Sequence, residues 1–204
     1  MKHALAHIDG ARCAVAIGAS AGGVSALRAL VHALPADLPA AVFIVLHLDP
    51  RARSLLPTLL AATTSLRYGD VRQEGLAAER TVYVAVPDYH LLVTNDRRIR
   101  LCSSAPMHHV RPSVDTLFES VALAWEAAAV GVVLTGNGSD GALGMAAIKR
   151  HGGSTIAQDP VEAEYPGMPR AAIATGFVDA VAPLAAIAAA ISRAATAAAR
   201  AAVG

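Results

Sequence analysis

Three short segments of this 204-residue chain carry residue types that together could do nucleophilic chemistry. The first is Gly18-Ala19-Ser20-Ala21-Gly22-Gly23, which fits G-x-S-x-G between an apolar run and a helical segment. A serine in that setting sits on a tight strand-to-helix turn with its hydroxyl exposed above the sheet. The helix N-terminus behind it offers backbone N–H groups and partial positive charge to a developing oxyanion. An anion-binding turn and a merely tight turn are the other uses of such a segment. Ser20 stands where a dinucleotide fingerprint needs its second glycine, and no lysine follows Gly23, so neither that fingerprint nor a Walker loop is present.

His47 closes the apolar run Ala41 to His47 (AVFIVLH). At a strand tip beside Ser20 it could accept the serine proton, since imidazole titrates near neutrality; its other reading is a histidine that caps the strand. Asp140 lies in Thr135-Gly136-Asn137-Gly138-Ser139-Asp140-Gly141. It could accept the second ring N–H of His47 and fix the tautomer, or cap the helix that starts after it. The remaining histidines stand in weaker positions: His3 and His7 in the N-terminal tail, His32 on a helix, His90 at a strand start, His151 near a helix end. The pair His108-His109 could ligate a metal, but no carboxylate or cysteine nearby completes a site. No metal or cofactor is called for.

The elements that must position these residues follow from the apolar pattern. Strands are expected at Cys13 to Gly18, Ala41 to His47, Ala129 to Thr135, Ser154 to Ala157 and Val178 to Val181. Helices are expected at Gly23 to Leu34, Leu55 to Ala62, Pro112 to Ala127 with Ser113 as cap, Ala142 to His151 and Arg170 to Thr175, with a last helix in the alanine-rich end. Between them, Thr81 to Val86, Tyr89 to Thr94 and Arg98 to Cys102 read as a local meander or hairpin. Alternating apolar strands and helices predict a doubly wound α/β domain: a mostly parallel sheet, helices on both faces, and a small antiparallel hairpin mid-chain. Ligands of such folds lie beyond the carboxyl ends of the strands, where Ser20, His47 and Asp140 all fall. The reading is a 1–12 tail, one catalytic domain over 13–193, and an alanine-rich 194–204 tail.

Composition narrows the function classes. Apolar residues make up 54% and charged residues 16%, which excludes a disordered chain. A net charge of +1 gives no overall pull toward nucleic acid or an anionic membrane. Cys13 and Cys102 stand far apart and offer neither a disulfide framework nor a zinc knuckle. No uninterrupted run of 18 apolar residues appears, so no membrane insertion is expected and the expected address is the cytoplasm.

Taken together, these segments resemble the catalytic domain of the CheB-type protein-glutamate methylesterases of bacterial chemotaxis. That family pairs a GAS-x-GG turn, a strand ending in histidine and a T-G-x-G-x-D-G loop, in this order. Further similarity lies in Arg111-Pro112-Ser113-Val114-Asp115, in Gln158-Asp159-Pro160 and in Gly167 to Ile173, and the likeness runs from about Val15 to Val181. The resemblance implies Ser20 as nucleophile, His47 as general base and Asp140 as orienting carboxylate, with backbone N–H groups around Ala21 and Asn137 holding the oxyanion. It implies hydrolysis of glutamate γ-methyl esters, and deamidation of glutamines, on a methylated chemoreceptor or receptor-like partner. Ala21 and Asn137 depart from the threonine and methionine usual in the family, which alters the pocket but not the backbone donors. The chain starts a dozen residues before its first strand, without the family's receiver domain, so a stand-alone form answering to a separate regulatory partner is expected. Two other readings stay open: the same chemistry on a different ester or amide, and a non-catalytic module that holds an anion or partner at the Ser20 turn.

Overall fold

Every second residue of the central strands is apolar on either face, and the fold covers both faces with helices. The computed structural model describes residues 10–47, 56–107 and 110–201. Strand β1 (Ala14–Ala19) lies in the middle of a seven-stranded sheet between β2 (Ala41–Leu46) and β7 (Ala129–Val133). Outward on one side come β4 (Thr81–Val84) and β3 (Arg67–Gly69); on the other, β8 (Ser154–Gln158) and β9 (Ala180–Ala182). All six pairings are parallel. β5 (His90–Val93) and β6 (Ile99–Cys102) form a separate antiparallel pair. The doubly wound α/β fold with a mid-chain hairpin is thus observed.

Of the three runs expected as a local meander or hairpin, the last two form the hairpin and the first lies elsewhere. Thr81–Val84 is buried at every residue and joins the parallel sheet beside β2, leaving only the two following runs to pair with each other. The edge strand β3 has no counterpart in the expected elements, being three residues long and largely exposed. The helix expected from Leu55 is seen as α2 (Leu56–Ala61), Leu55 itself lying outside the described residues, and the one expected over 170–175 is seen as α5 (Gly167–Ala174).

Strand residues alternate between two cores. Val15, Ile17, Val42, Ile44, Val130 and Val132 face α1 (Gly23–Ala33) and the C-terminal helix α6 (Leu184–Ala201). Helix α6 is 18 residues long with a mean hydropathy of 1.2, enough by length and composition to cross a membrane. Here it lies against α1 and the sheet, burying Ile187, Ala188, Ile191, Ala195 and Ala199 and exposing Arg193 and Arg200. It continues through residue 193 without a break.

The opposite core is shaped by small residues. On this face β1 presents Ala14, Ala16 and Gly18, against which α3 (Val114–Trp125) packs. A Cβ on Gly18 would fall 2.3 Å from Val114 Cγ1, so no side chain fits there. The same holds where α3 meets α4 (Ala142–Arg150): a Cβ on Gly144 would sit 2.5 Å from Phe118 Cβ. The glycines bring the N-terminal turn of α3 onto the sheet and against the start of α4, which matters for the site.

Gly18→Ala is expected to lower stability by ~1–3 kcal/mol through overpacking. Combining it with Val114→Ala, which removes the opposing methyls, is expected to cost less than the sum of the two single changes by more than ~0.5 kcal/mol. Urea unfolding of the four proteins checks this, and strict additivity would contradict the contact.

Candidate functional site

Three strand ends meet at the middle of the sheet, where the winding direction reverses about β1. The β1–β2 register pairs Ala19 with Leu46, and the His47 N–H donates to Ala19 O at 3.1 Å. Ser20 and His47 are therefore the next residues along two adjacent strands. On the other flank the Ser20 N–H donates to Thr135 O at 3.0 Å, tying the serine to the exit of β7. The turn closes through Gly23 N–H to Ser20 O at 2.8 Å, and Gly22 takes a φ of 72°, the left-handed region glycine tolerates. Opposite Ser20 a Cβ on Gly136 would fall 2.8 Å from Ser20 Cβ and 2.2 Å from Met168 Sδ, so only glycine allows this approach.

The His47 ring engages Asp140: Nε2 lies 2.8 Å from Oδ2, with side chains 15% and 6% exposed. The Asp140 carboxylate accepts three further hydrogen bonds, from Ser113 Oγ–H at 3.0 Å, Val114 N–H at 2.7 Å and Asp115 N–H at 3.0 Å. Burial pushes this carboxyl up, but the hydrogen bonds from His47 and from the Asp115 and Val114 N–H groups outweigh it and hold it below the usual carboxylate value. An ionised Asp140 only accepts, so the His47 proton sits on Nε2 and the lone pair on Nδ1.

Asp140 is indeed a helix cap, but of a helix that starts 26 residues earlier in the chain. Its own helix α4 starts behind Gly141, which has a φ of 99° and no side-chain cap. The carboxylate serves α3: with Ser113 Oγ accepting from Thr116 N–H at 3.3 Å, the first three N–H groups of α3 are satisfied. Ser113 had been expected as the α3 cap alone; it also donates to Asp140. Behind it, buried His90 accepts the Ser113 N–H at Nδ1 and reaches Ala105 O through Nε2. Asp115, in turn, accepts from Gly141 N–H at 2.9 Å and Gly144 N–H at 2.7 Å. Burial, with the neighbouring Asp140 charge adding to it, pushes the Asp115 carboxyl up to about 6, against the pull of the Gly144 and Gly141 N–H groups. None of Asp115, His90 or the Ser113–Asp140 bond was assigned a site role from the sequence; the 111–115 segment likeness was the available signal.

Thr135 fastens the remaining wall. Its hydroxyl donates to Ala21 O at 3.0 Å and accepts from Tyr165 N–H at 2.8 Å, while its own N–H goes to buried Gln158 Oε1 at 2.8 Å. Ala21 is half-buried and Asn137 exposed, and among the described residues neither backbone N–H finds an acceptor. Among the described residues no group of three His, Cys, Asp or Glu could hold a metal, and His108-His109 lie outside them.

Comparison with known proteins gives the same neighbourhood. The sequence pattern of the CheB methylesterase family matches residues 15–191. A protein-glutamate methylesterase/protein-glutamine glutaminase of Symbiobacterium thermophilum is 42% identical over 180 residues, covering 88% of this chain and 50% of that protein. One of the same name from Archaeoglobus fulgidus is 40% identical over 173 residues, covering 83% and 50%. The chain thus spans about half the length of these curated relatives, whereas a Leptospira interrogans relative, 36% identical, is covered over 86% of its length. The crystal structure of the Thermotoga maritima CheB methylesterase catalytic domain superposes with a TM-score of 0.82 at 30% identity, covering 89% of this chain and 97% of that one.

Asp140→Asn turns an acceptor partly into a donor among four donors and is expected to lower stability by ~1–3 kcal/mol at pH 7. Asp140 has a folded-state value below its unfolded one, so its contribution is present above ~pH 4 and is lost as pH falls from there. Denaturant unfolding at pH 7 and pH 3 is expected to show the gap between the two proteins narrowing at pH 3; a constant gap contradicts the assignment.

Proposed function

The chain belongs to the CheB methylesterase family, and from that premise and the site geometry we propose that it hydrolyses glutamate γ-methyl esters, with Ser20 as nucleophile. The observation that carries the reading is the half-buried 2.8 Å contact between His47 Nε2 and Asp140 at the strand end next to Ser20. It leaves Nδ1 as the basic nitrogen. In the proposed cycle Ser20 Oγ adds to the ester carbonyl as its proton passes to His47 Nδ1. The imidazolium so formed keeps its Nε2–H on the Asp140 carboxylate. The Ala21 and Asn137 N–H groups donate to the oxyanion, a donor of this kind being worth ~10²–10³ in rate.

Collapse of the tetrahedral species breaks the bond to the methoxy oxygen, which leaves as methanol with the proton from Nδ1. A water molecule then gives a proton to Nδ1 as it attacks the acyl-serine; the bond between the acyl carbon and Ser20 Oγ breaks, Oγ takes the proton back from Nδ1, and the glutamate side chain is freed as its carboxyl. With a glutamine side chain the same steps expel ammonia. The proposed substrate is a methylated chemoreceptor or receptor-like protein met in the cytoplasm, with a separate partner as regulator. Relatives named protein-glutamate methylesterase/protein-glutamine glutaminase support both activities. Ala21 and Asn137 stand where the family usually carries threonine and methionine, and the alternative this leaves is the same chemistry on a different ester or amide.

Methanol release from a methyl-labelled chemoreceptor cytoplasmic fragment is expected to fall by at least ~10³-fold in Ser20→Ala, with the circular dichroism spectrum unchanged. Release that persists in the variant refutes the nucleophile. Labelling of Ser20 by a serine-reactive phosphonate without methanol release would instead move the substrate outside chemoreceptors.

A further inference from the structure

Asp115 and Asp140 form a closed exchange between two helix starts. Asp115 sends its N–H to Asp140 Oδ1 at 3.0 Å. Its carboxylate takes the N–H of Gly141, the residue that follows Asp140, at 2.9 Å, and that of Gly144 at 2.7 Å. The Asp115 side chain therefore fixes the peptide plane after Asp140, and its main chain fixes the Asp140 carboxylate. Gly141 has a φ of 99° and no side chain of its own to hold this turn. Asp115 is buried and lies one helical turn or less from Val114 and Phe118, which fill the space left by Gly18, Gly141 and Gly144. The loop from Thr135 to Asp140 is pinned at its start by Gln158 and at its end by Asp115.

We propose that Asp115 is a positioning residue for the Asp140–His47 pair, its carboxylate clamping the start of α4 so that Asp140 meets His47 Nε2. This rests on the proposed reading that His47 serves Ser20 as base. Asp115 touches no reacting atom; it acts only through Asp140 and the loop that carries Asn137. Its task is that of a two-donor acceptor, which asparagine can also perform through Oδ1. Loss of the clamp lets Asp140 and its peptide relax, and a displacement of ~1 Å in a catalytic group costs about 10²-fold.

The test compares Asp115→Ala, Asp115→Asn and Ser20→Ala with the wild type by methanol release and by the rate of phosphonate labelling at Ser20. Asp115→Ala is expected to lose ~10–100-fold in kcat and in labelling rate with KM within about two-fold, since the substrate is not contacted. Asp115→Asn is expected to recover kcat to within about three-fold of wild type. If Asp115→Ala does not fold, Asp115→Ser, whose hydroxyl can serve one N–H, is expected to give an intermediate kcat. Wild-type kcat in Asp115→Ala or Asp115→Ser overturns the proposal, as does an asparagine variant as slow as the alanine one or a loss confined to KM. Turnover surviving in Ser20→Ala overturns the reading of Ser20 as nucleophile served by His47, whereas an inactive Ser20→Ala beside a fully active Asp115→Ala overturns the positioning role alone.

Discussion

The exchange of caps between α3 and α4 is the constraint on which the site depends. Two carboxylates cannot be buried side by side unless each meets enough donors to offset the loss of water. Here the donors are helix N-termini, which carry partial positive charge and N–H groups with no partner inside the helix. Asp140 receives those of α3 and Asp115 those of α4. Each charge is answered by the other helix, so neither helix keeps its start if the other moves. His47 draws on this arrangement: the carboxylate it meets is already oriented by three other hydrogen bonds.

Such an exchange needs the two helix starts within side-chain reach of each other and of the sheet. The glycines provide it. Gly18 on β1, Gly141 at the start of α4 and Gly144 in its first turn each lie where a methyl would strike α3. The strand order supplies the rest. With β1 between β2 and β7, the turn after β1 is flanked by His47 on one side and Thr135 on the other. Gly136, pressed between Ser20 and Met168, closes the wall behind the serine.

Much of this was legible in the sequence because strand ends are local signals. The apolar runs stopping at Gly18, His47 and Thr135 place three chemical residue types at one edge of one sheet. What was not legible was long-range. The helix served by Asp140 begins 26 residues before it, and nothing in the local pattern separates a cap for its own helix from a cap for another. Thr81–Val84 alternates as a hairpin strand would, yet pairs in parallel with β2, because burial on both faces is decided by what packs from elsewhere. β3 is too short for a periodic signal, and the burial of Ala195 depends on the core that α6 shares with α1 and the sheet.

The orientation of the imidazole has a mechanical side. Nε2, the outer nitrogen, is anchored to Asp140, and the lone pair is left on Nδ1, only two covalent bonds from Cβ. The basic atom thus swings on a short lever. Its place in space is set by the end of β2, by the bond between the His47 N–H and Ala19 O, and by two side-chain torsions that the Asp140 contact holds. The register of two neighbouring strands is in this sense the ruler that spaces the proposed base from the Ser20 hydroxyl, and the precision of the sheet is passed on to that spacing.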